Sequence, residues 1–379
     1  MVRNLNLVVL FTHGVSLSQW FERGLLDREI DFYTRLSSNG VNVTFLTYGD
    51  CSDRLDKSLI KKINVVPIFE NKRRPKSQIY SLLYSLLVPW FYRDIFQQAD
   101  LLKTNQIWGS WVGVIAKYLW QTPLLVRCGY EPSLSARYKG WRRCILPIYR
   151  LMYASVYRLG DFCHFGSLDD AEYVAQYYNI SRGKIKVAPN WMEVPDVKSK
   201  QDQLTAPRSI LAVGRLSKEK NISLLIRALE GTGLSLKIVG IGEEKTSLEM
   251  LAEAHRVEVV FLGYVSKPEL YEIYASHSIY AICSLYEGSP KSLFEAMSCG
   301  CAVVATNSRG IRNVLNDGVN GLVVARNHLD VRRAILRLVS DEHLRIQLSK
   351  NAVEEISSNY SLDLLIESEL NTYKKILNL

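Results

Sequence analysis

The chain has 379 residues, 47% hydrophobic and 22% charged, which is ample for two domains with a core each and excludes a disordered or fibrous protein. Seven cysteines, an odd number without CxxC spacing, exclude a disulfide framework and a zinc site of the usual pattern; they read as buried, reduced thiols of a cytosolic protein. The formal charge of +9 is uneven: residues 1–190 hold 25 Lys/Arg against 15 Asp/Glu, whereas the remainder holds 22 against 23, so the first half points to a polyanionic partner.

Residues 5–11 (LNLVVLF) form an expected first strand rather than a signal peptide, since one Arg precedes them and no small-residue cleavage site follows. A helix is expected over 20–38, then strands at 41–48, 63–69, 100–103, 124–127, 162–165 and 185–188. Pro195–Ser209 is polar, holds two prolines and lacks apolar periodicity, so residues 195–208 read as a linker between a domain over 1–194 and another over 209–355. The second half repeats the alternation. Strands are expected at 209–214, 235–240, 257–263, 278–284, 301–306 and 321–325, with helices at 221–231, 244–254, 267–276 and 291–299. A final helix over 356–379 is expected to pack back toward the first domain. Strands alternating with helices imply an α/β class with two parallel sheets of right-handed βαβ units facing each other across a cleft, and ligands of such sheets bind outside the carboxyl ends of the strands. No uncharged apolar run reaches the roughly 18 residues of a membrane span, so a cytoplasmic protein is expected.

Two stretches carry chemistry. Gly214-Arg215-Leu216-Ser217-Lys218-Glu219-Lys220 follows a strand and opens a helix. Cations beside a helix N-terminus suit a diphosphate, with Arg215 as a planar fork and Lys220 as a mobile point charge. Glu287-Gly288-Ser289-Pro290-Lys291-Ser292-Leu293-Phe294-Glu295 follows another strand. Pro290 fits a helix start, which leaves the amides of Lys291, Ser292 and Leu293 as donors to a phosphate or sugar oxygen. Glu295 lies one turn in, placed for a ribose diol, and Glu287 stays in the loop near the sugar. Gly240-Ile241-Gly242 lacks a third glycine at Lys245, so a nicotinamide site is rejected.

Together these stretches resemble the retaining glycosyltransferases with two Rossmann-like domains, often called family four, which have the GT-B fold. VGRLSKEKN, LKIVGIGEE, VVFLGYVSKPEL, YEGSPKSLFEAMSCGCAVVAT and NDGVNGLVV carry the resemblance over most of residues 209–325. It implies transfer of a sugar from a UDP- or GDP-sugar to a glycan or lipid-linked acceptor in bacterial surface polysaccharide or glycolipid synthesis. It implies no metal and no cofactor. Arg215, Lys220 and Glu287 would be catalytic. The donor would be held by Gly14, Arg215, Lys220, Tyr264, Val265, Glu287, Ser289, Lys291, Ser292, Leu293 and Glu295. Where the family often has a histidine facing the sugar, this chain offers Asn105 or Arg127, with His13 as an alternative; these are the acceptor candidates. No nucleophile is evident, so the acceptor would attack on the leaving-group face. A nucleotide-sugar epimerase and a non-catalytic nucleotide-sugar-binding protein are the other uses of the fold.

Two stretches suggest peripheral contact with the inner face of an anionic membrane. Residues 137–158 interleave Arg137, Lys139, Arg142, Arg143, Arg150 and Arg158 with aromatics, and SLLYSLLVPWFY (81–92) follows KRRPK (72–76). No nucleic-acid module accompanies the charge, so nucleic acid is not expected as a partner.

Overall fold

A computed structural model describes residues 4–22, 26–54, 60, 62–75, 77–135, 146–192 and 207–379. Most of the expected linker, Cys144 and the cations Arg137, Lys139, Arg142 and Arg143 lie outside the described residues. The chain forms two compact units. One comprises residues up to Gly166, Asp170–Ala188 and Asp363–Leu379; the other comprises Ser167–Asp169 and Pro189–Leu362.

The elements run β1 (Leu5–Leu10), α1 (Leu17–Glu22), α2 (Leu26–Ser38), β2 (Val41–Thr47), β3 (Asn64–Pro67), α3 (Gln78–Phe91), α4 (Arg93–Gln98), β4 (Leu101–Thr104), α5 (Trp111–Trp120), β5 (Leu124–Cys128), α6 (Pro132–Ser135), α7 (Leu146–Leu159), β6 (Phe162–Phe165), α8 (Leu168–Tyr177) and β7 (Ile185–Val187). After them come β8 (Ser209–Val213), α9 (Ile222–Leu229), β9 (Ser235–Val239), α10 (Lys245–Ala254), β10 (Val259–Gly263), α11 (Lys267–Ala275), β11 (Ile279–Ile282), α12 (Lys291–Ser298), β12 (Ala302–Thr306), β13 (Leu322–Val324), α13 (His328–Ser340), α14 (Glu342–Asn359) and α15 (Leu362–Leu377).

The first unit's sheet has the order β3-β2-β1-β4-β5-β6-β7, and the second unit's the order β10-β9-β8-β11-β12-β13. Every pairing is parallel. Strands covered on both faces read as unbroken apolar runs, and β6, β11 and β12 are buried at every position. Strand order reverses between β1 and β4 in one sheet and between β8 and β11 in the other. Such reversals are the points at which open α/β sheets take ligands.

Two boundaries differ from the sequence reading. The single helix over 20–38 is instead α1 and α2. The start of α1 is held from a distance: the buried Asp53 carboxylate accepts from the amides of Leu17 and Ser18, each at 2.9 Å, and from Thr47 Oγ1 at 2.5 Å. The single helix over 356–379 is divided between α14 and α15. The latter belongs to the first unit, where Glu369 is 2% exposed, pairs with Lys103 of β4 and accepts from Tyr373 Oη at 3.0 Å. Burial alone would raise the Glu369 pKa, but the charges of Lys103 and His164 hold it well below the usual carboxylate range.

Candidate active site in the second unit

The sequence between β8 and α9 folds as Gly214-Arg215, a single 3-10 turn over Lys218–Lys220, and Asn221 in the left-handed region at φ 51°. The turn doubles back, so the Lys220 stem lies over Gly214; a Cβ there would meet Lys220 Cε at 3.6 Å. Lys220 Nζ donates to Glu287 Oε1 at 2.5 Å, and Ser284 Oγ donates to the same oxygen at 2.6 Å. The β8 and β11 loops, 67 residues apart at these two side chains, thus meet at the reversal of strand order. An ammonium has three protons, so Lys220 keeps two for another acceptor while it holds Glu287. Arg215 is exposed, and its guanidinium pairs with no described acidic residue.

Glycines let these loops pack. A Cβ on Gly240 would lie 1.9 Å from the Gly214 carbonyl oxygen, and one on Gly242 would lie 2.2 Å from that of Leu216. The stretch that superficially matches a dinucleotide fingerprint is therefore the floor beneath Gly214–Leu216. Gly310, at φ 79°, does the same under the second loop: its Cβ would lie 2.3 Å from the Glu287 carbonyl oxygen and 2.4 Å from that of Gly288.

At the start of α12, Pro290 holds the N-cap position. Its carbonyl accepts from the Leu293 amide at 3.1 Å. This corrects the expectation that Leu293 offers a free donor: the opening turn closes on itself, leaving Lys291 and Ser292 as the amides ahead of it. Ser289 is engaged by Asn190, whose backbone N–H donates to Ser289 Oγ at 2.9 Å and whose Nδ2 donates to the Ser289 carbonyl at 2.6 Å. Below the helix, Tyr280 Oη donates to Ser292 Oγ at 2.8 Å, and Tyr274 Oη donates to Glu295 Oε2 at 3.2 Å. Burial raises both phenol pKa values well above their usual range, so both remain proton donors. Glu295 is thereby oriented one turn inside the helix. Tyr264 follows β10 and is 70% exposed, while Val265 packs partly against the second unit's core.

The remaining candidates lie in the first unit. His13 and Gly14 follow β1, and Asn105 follows β4; the Asn105 amide donates to the Leu10 carbonyl at 2.8 Å, across the reversal of strand order. His13 Nε2 lies 3.2 Å from Ser81 Oγ. Burial lowers its pKa, against a hydrogen bond to Ser81 that raises it, so the ring is neutral at neutral pH. The Gly14 carbonyl accepts from Arg74. Arg127 lies at the carboxyl end of β5, as expected, but its guanidinium is turned toward α2, 3.7 Å from Glu29, with both side chains largely buried. Sequence reasoning did not find Ser284, Asn190 or Gly310. Asn190, in Pro189-Asn190 after β7, and Gly310, in Arg309-Gly310, had local signals; Ser284 had none.

The profile of the family described as glycosyl transferases group 1 matches residues 195–355. A relative in Campylobacter jejuni, the N-acetylgalactosamine-N,N'-diacetylbacillosaminyl-diphospho-undecaprenol 4-alpha-N-acetylgalactosaminyltransferase, is 32% identical over 48% of this chain and 50% of its own length. The chain spans about half the length of the curated relatives it matches. Among solved structures, sucrose-phosphate synthase from Thermosynechococcus elongatus superposes with a TM-score of 0.79 at 18% identity, covering 99% of both chains. Anabaena Alr3699/HepE in complex with UDP gives 0.74 at 18% identity, covering 98% of this chain and 100% of its own. These likenesses establish the GT-B fold. The profile match lies over the loops built above, so the similarity to the glycosyl transferases group 1 family is carried by the second unit.

Proposed function

We propose that the chain transfers a sugar from a nucleoside-diphosphate sugar to a glycan or lipid-linked acceptor, with retention at the anomeric carbon. The observation that carries this reading is the meeting of Lys220, Glu287 and Ser284 at the β8–β11 reversal, with Arg215 exposed beside it. Departure of a nucleoside diphosphate leaves negative charge on phosphate oxygens. Arg215 and the two remaining Lys220 protons would stabilise that charge, and the Ser292 amide at the head of α12 would add a dipole of the right sign. Glu287 would accept from hydroxyls of the transferred sugar, and Glu295, steadied by Tyr274, would take the ribose diol. Ser289, Lys291, Tyr264 and Val265 would complete the donor site. The acceptor would be held by the first unit, near His13, Gly14 and Asn105. The UDP complex of the Anabaena protein favours a uridine nucleotide, and the diphospho-undecaprenol substrate named for the Campylobacter relative favours a lipid-linked acceptor. The test is release of UDP or GDP from a panel of nucleotide sugars, with and without lipid-diphosphate-linked saccharides. Loss of one preorganised charge of this kind costs roughly 10²–10³ in kcat, and Lys220→Ala and Glu287→Ala are expected to lose that much. Full turnover in either variant removes that residue from the mechanism.

A further inference from the structure

Helix α3 wears its apolar residues on the outside. Ser85, Val88 and Pro89 are its buried positions. Ile79 and Tyr80 are each 70% exposed, Leu83 is 53% exposed, Leu87 48%, and Trp90 and Phe91 50% each. At about 100° per residue these side chains cover about a third of the circumference of the helix. An ordinary surface helix turns that stripe to the core, whereas here two small or compact residues and a proline face inward. An exposed apolar surface of this extent marks a binding face.

The charge around it selects the partner. Helix α3 itself carries neither acid nor base. Lys72, Arg73 and Arg74 precede it and are exposed, and Arg93 follows it with a side chain 69% exposed, beside Asp94 at 3.5 Å. Lys72 Nζ stands 4.7 Å from the Phe91 ring, at the rim of the apolar face. An apolar helix face with interfacial Trp and Tyr and a cationic rim complements an anionic bilayer surface. Among the described residues no helix is long and apolar enough to cross a membrane, so such a helix would lie in the interface.

The inward side of α3 is tied to the first unit's strand ends. Ser81 Oγ lies 3.2 Å from His13 Nε2, Trp111 Nε1 donates to Ser85 Oγ at 2.8 Å, and Arg74 donates to the Gly14 carbonyl. We infer that the outward face of α3 docks the protein on anionic lipid and so holds the β1–β4 strand ends at the membrane surface. Its purpose rests on the proposed use of a lipid-linked acceptor, but its test reads lipid binding alone, so either can fail without the other.

The full chain is floated with vesicles of phosphatidylcholine, alone or with phosphatidylglycerol, and its thermal unfolding and sedimentation are measured alongside. Each cation near an anionic surface strengthens binding roughly fivefold, so at least tenfold tighter binding to the anionic vesicles is expected. Leu83→Ser combined with Leu87→Ser, and separately Arg73→Ala combined with Arg93→Ala, are expected to weaken it at least tenfold. All four residues are exposed, so the unfolding temperature is expected to stay as in the wild type. The inference is overturned if the wild type binds neither vesicle, if both variants bind as it does, or if the leucine variant only converts a dimer to a monomer with lipid binding unchanged.

Discussion

Gly310→Ala isolates the packing that places Glu287. The added Cβ would lie 2.3 Å from the Glu287 carbonyl oxygen and 2.4 Å from that of Gly288, where real contacts begin near 3.0 Å. The loop must move by more than half an ångström or the backbone must leave its φ of 79°. A left-handed φ costs a non-glycine residue roughly 1–2 kcal/mol. Overpacking of this kind adds roughly 1–3 kcal/mol, for a total of about 2–5 kcal/mol. At roughly 2–4 °C per kcal/mol for a unit of this size, the second unit's transition falls by about 4–20 °C. Gly318→Ala is the control: its φ is 72° and nothing lies within 4 Å of its Cβ, so only the conformational cost applies. Differential scanning calorimetry of both variants gives the difference, and nucleotide-sugar turnover at a temperature where both are folded gives the effect on Glu287. Gly310→Ala is expected to lose more stability than Gly318→Ala and to lose turnover that Gly318→Ala keeps. Equal losses in both measurements would refute the role given to the Gly310 packing.

In the first unit, Glu369→Gln leaves buried Lys103 without its counter-charge, and the loss of one partner of a buried pair costs about 3–5 kcal/mol; replacement of both by Lys103→Met and Glu369→Leu is expected to recover most of it in urea unfolding, and a mild single variant would contradict the pairing. Glu131, buried and accepting from Tyr157 Oη at 2.5 Å, has its pKa raised by burial. A raised folded-state pKa gives stability that is complete below the unfolded value near 4.5 and is lost as pH rises through the folded value. The stability of the wild type relative to Glu131→Gln is therefore expected to decline as pH rises from 4.5, and a flat difference across that window would show that the carboxyl is not perturbed.

Strands and most helices were legible because central parallel strands are apolar runs punctuated by turns, and β6 fell on the residues expected. What the sequence could not display was contact at long range. Helix α1 starts at Leu17, ahead of the expected residue 20, because Asp53 from another loop accepts from its first amides, a contact that nothing in the local sequence announces. Arg127 lies on a strand covered on both faces, where alternation of side chains cannot say which way a given one points; Glu29 decided it. Leu293 looked free because Pro290 marks a helix start, but the proline's own carbonyl closes the first turn. Arg215, Lys220, Glu287 and Glu295 were singled out because their spacing resembles that of a family, and of these the structure brings Lys220 and Glu287 together. Ser284 and the glycines beneath the loops act through geometry, which local sequence does not record.

Titration calorimetry of UDP and GDP into the wild type, Lys220→Ala and Arg215→Ala tests the central claim most directly. Hydrogen bonds to charged groups contribute roughly 1.5–3 kcal/mol, so each variant is expected to bind the diphosphate at least tenfold more weakly, while uridine or guanosine without phosphates binds the three proteins alike. Wild-type affinity for the diphosphate in both variants would contradict a donor site at the β8–β11 reversal.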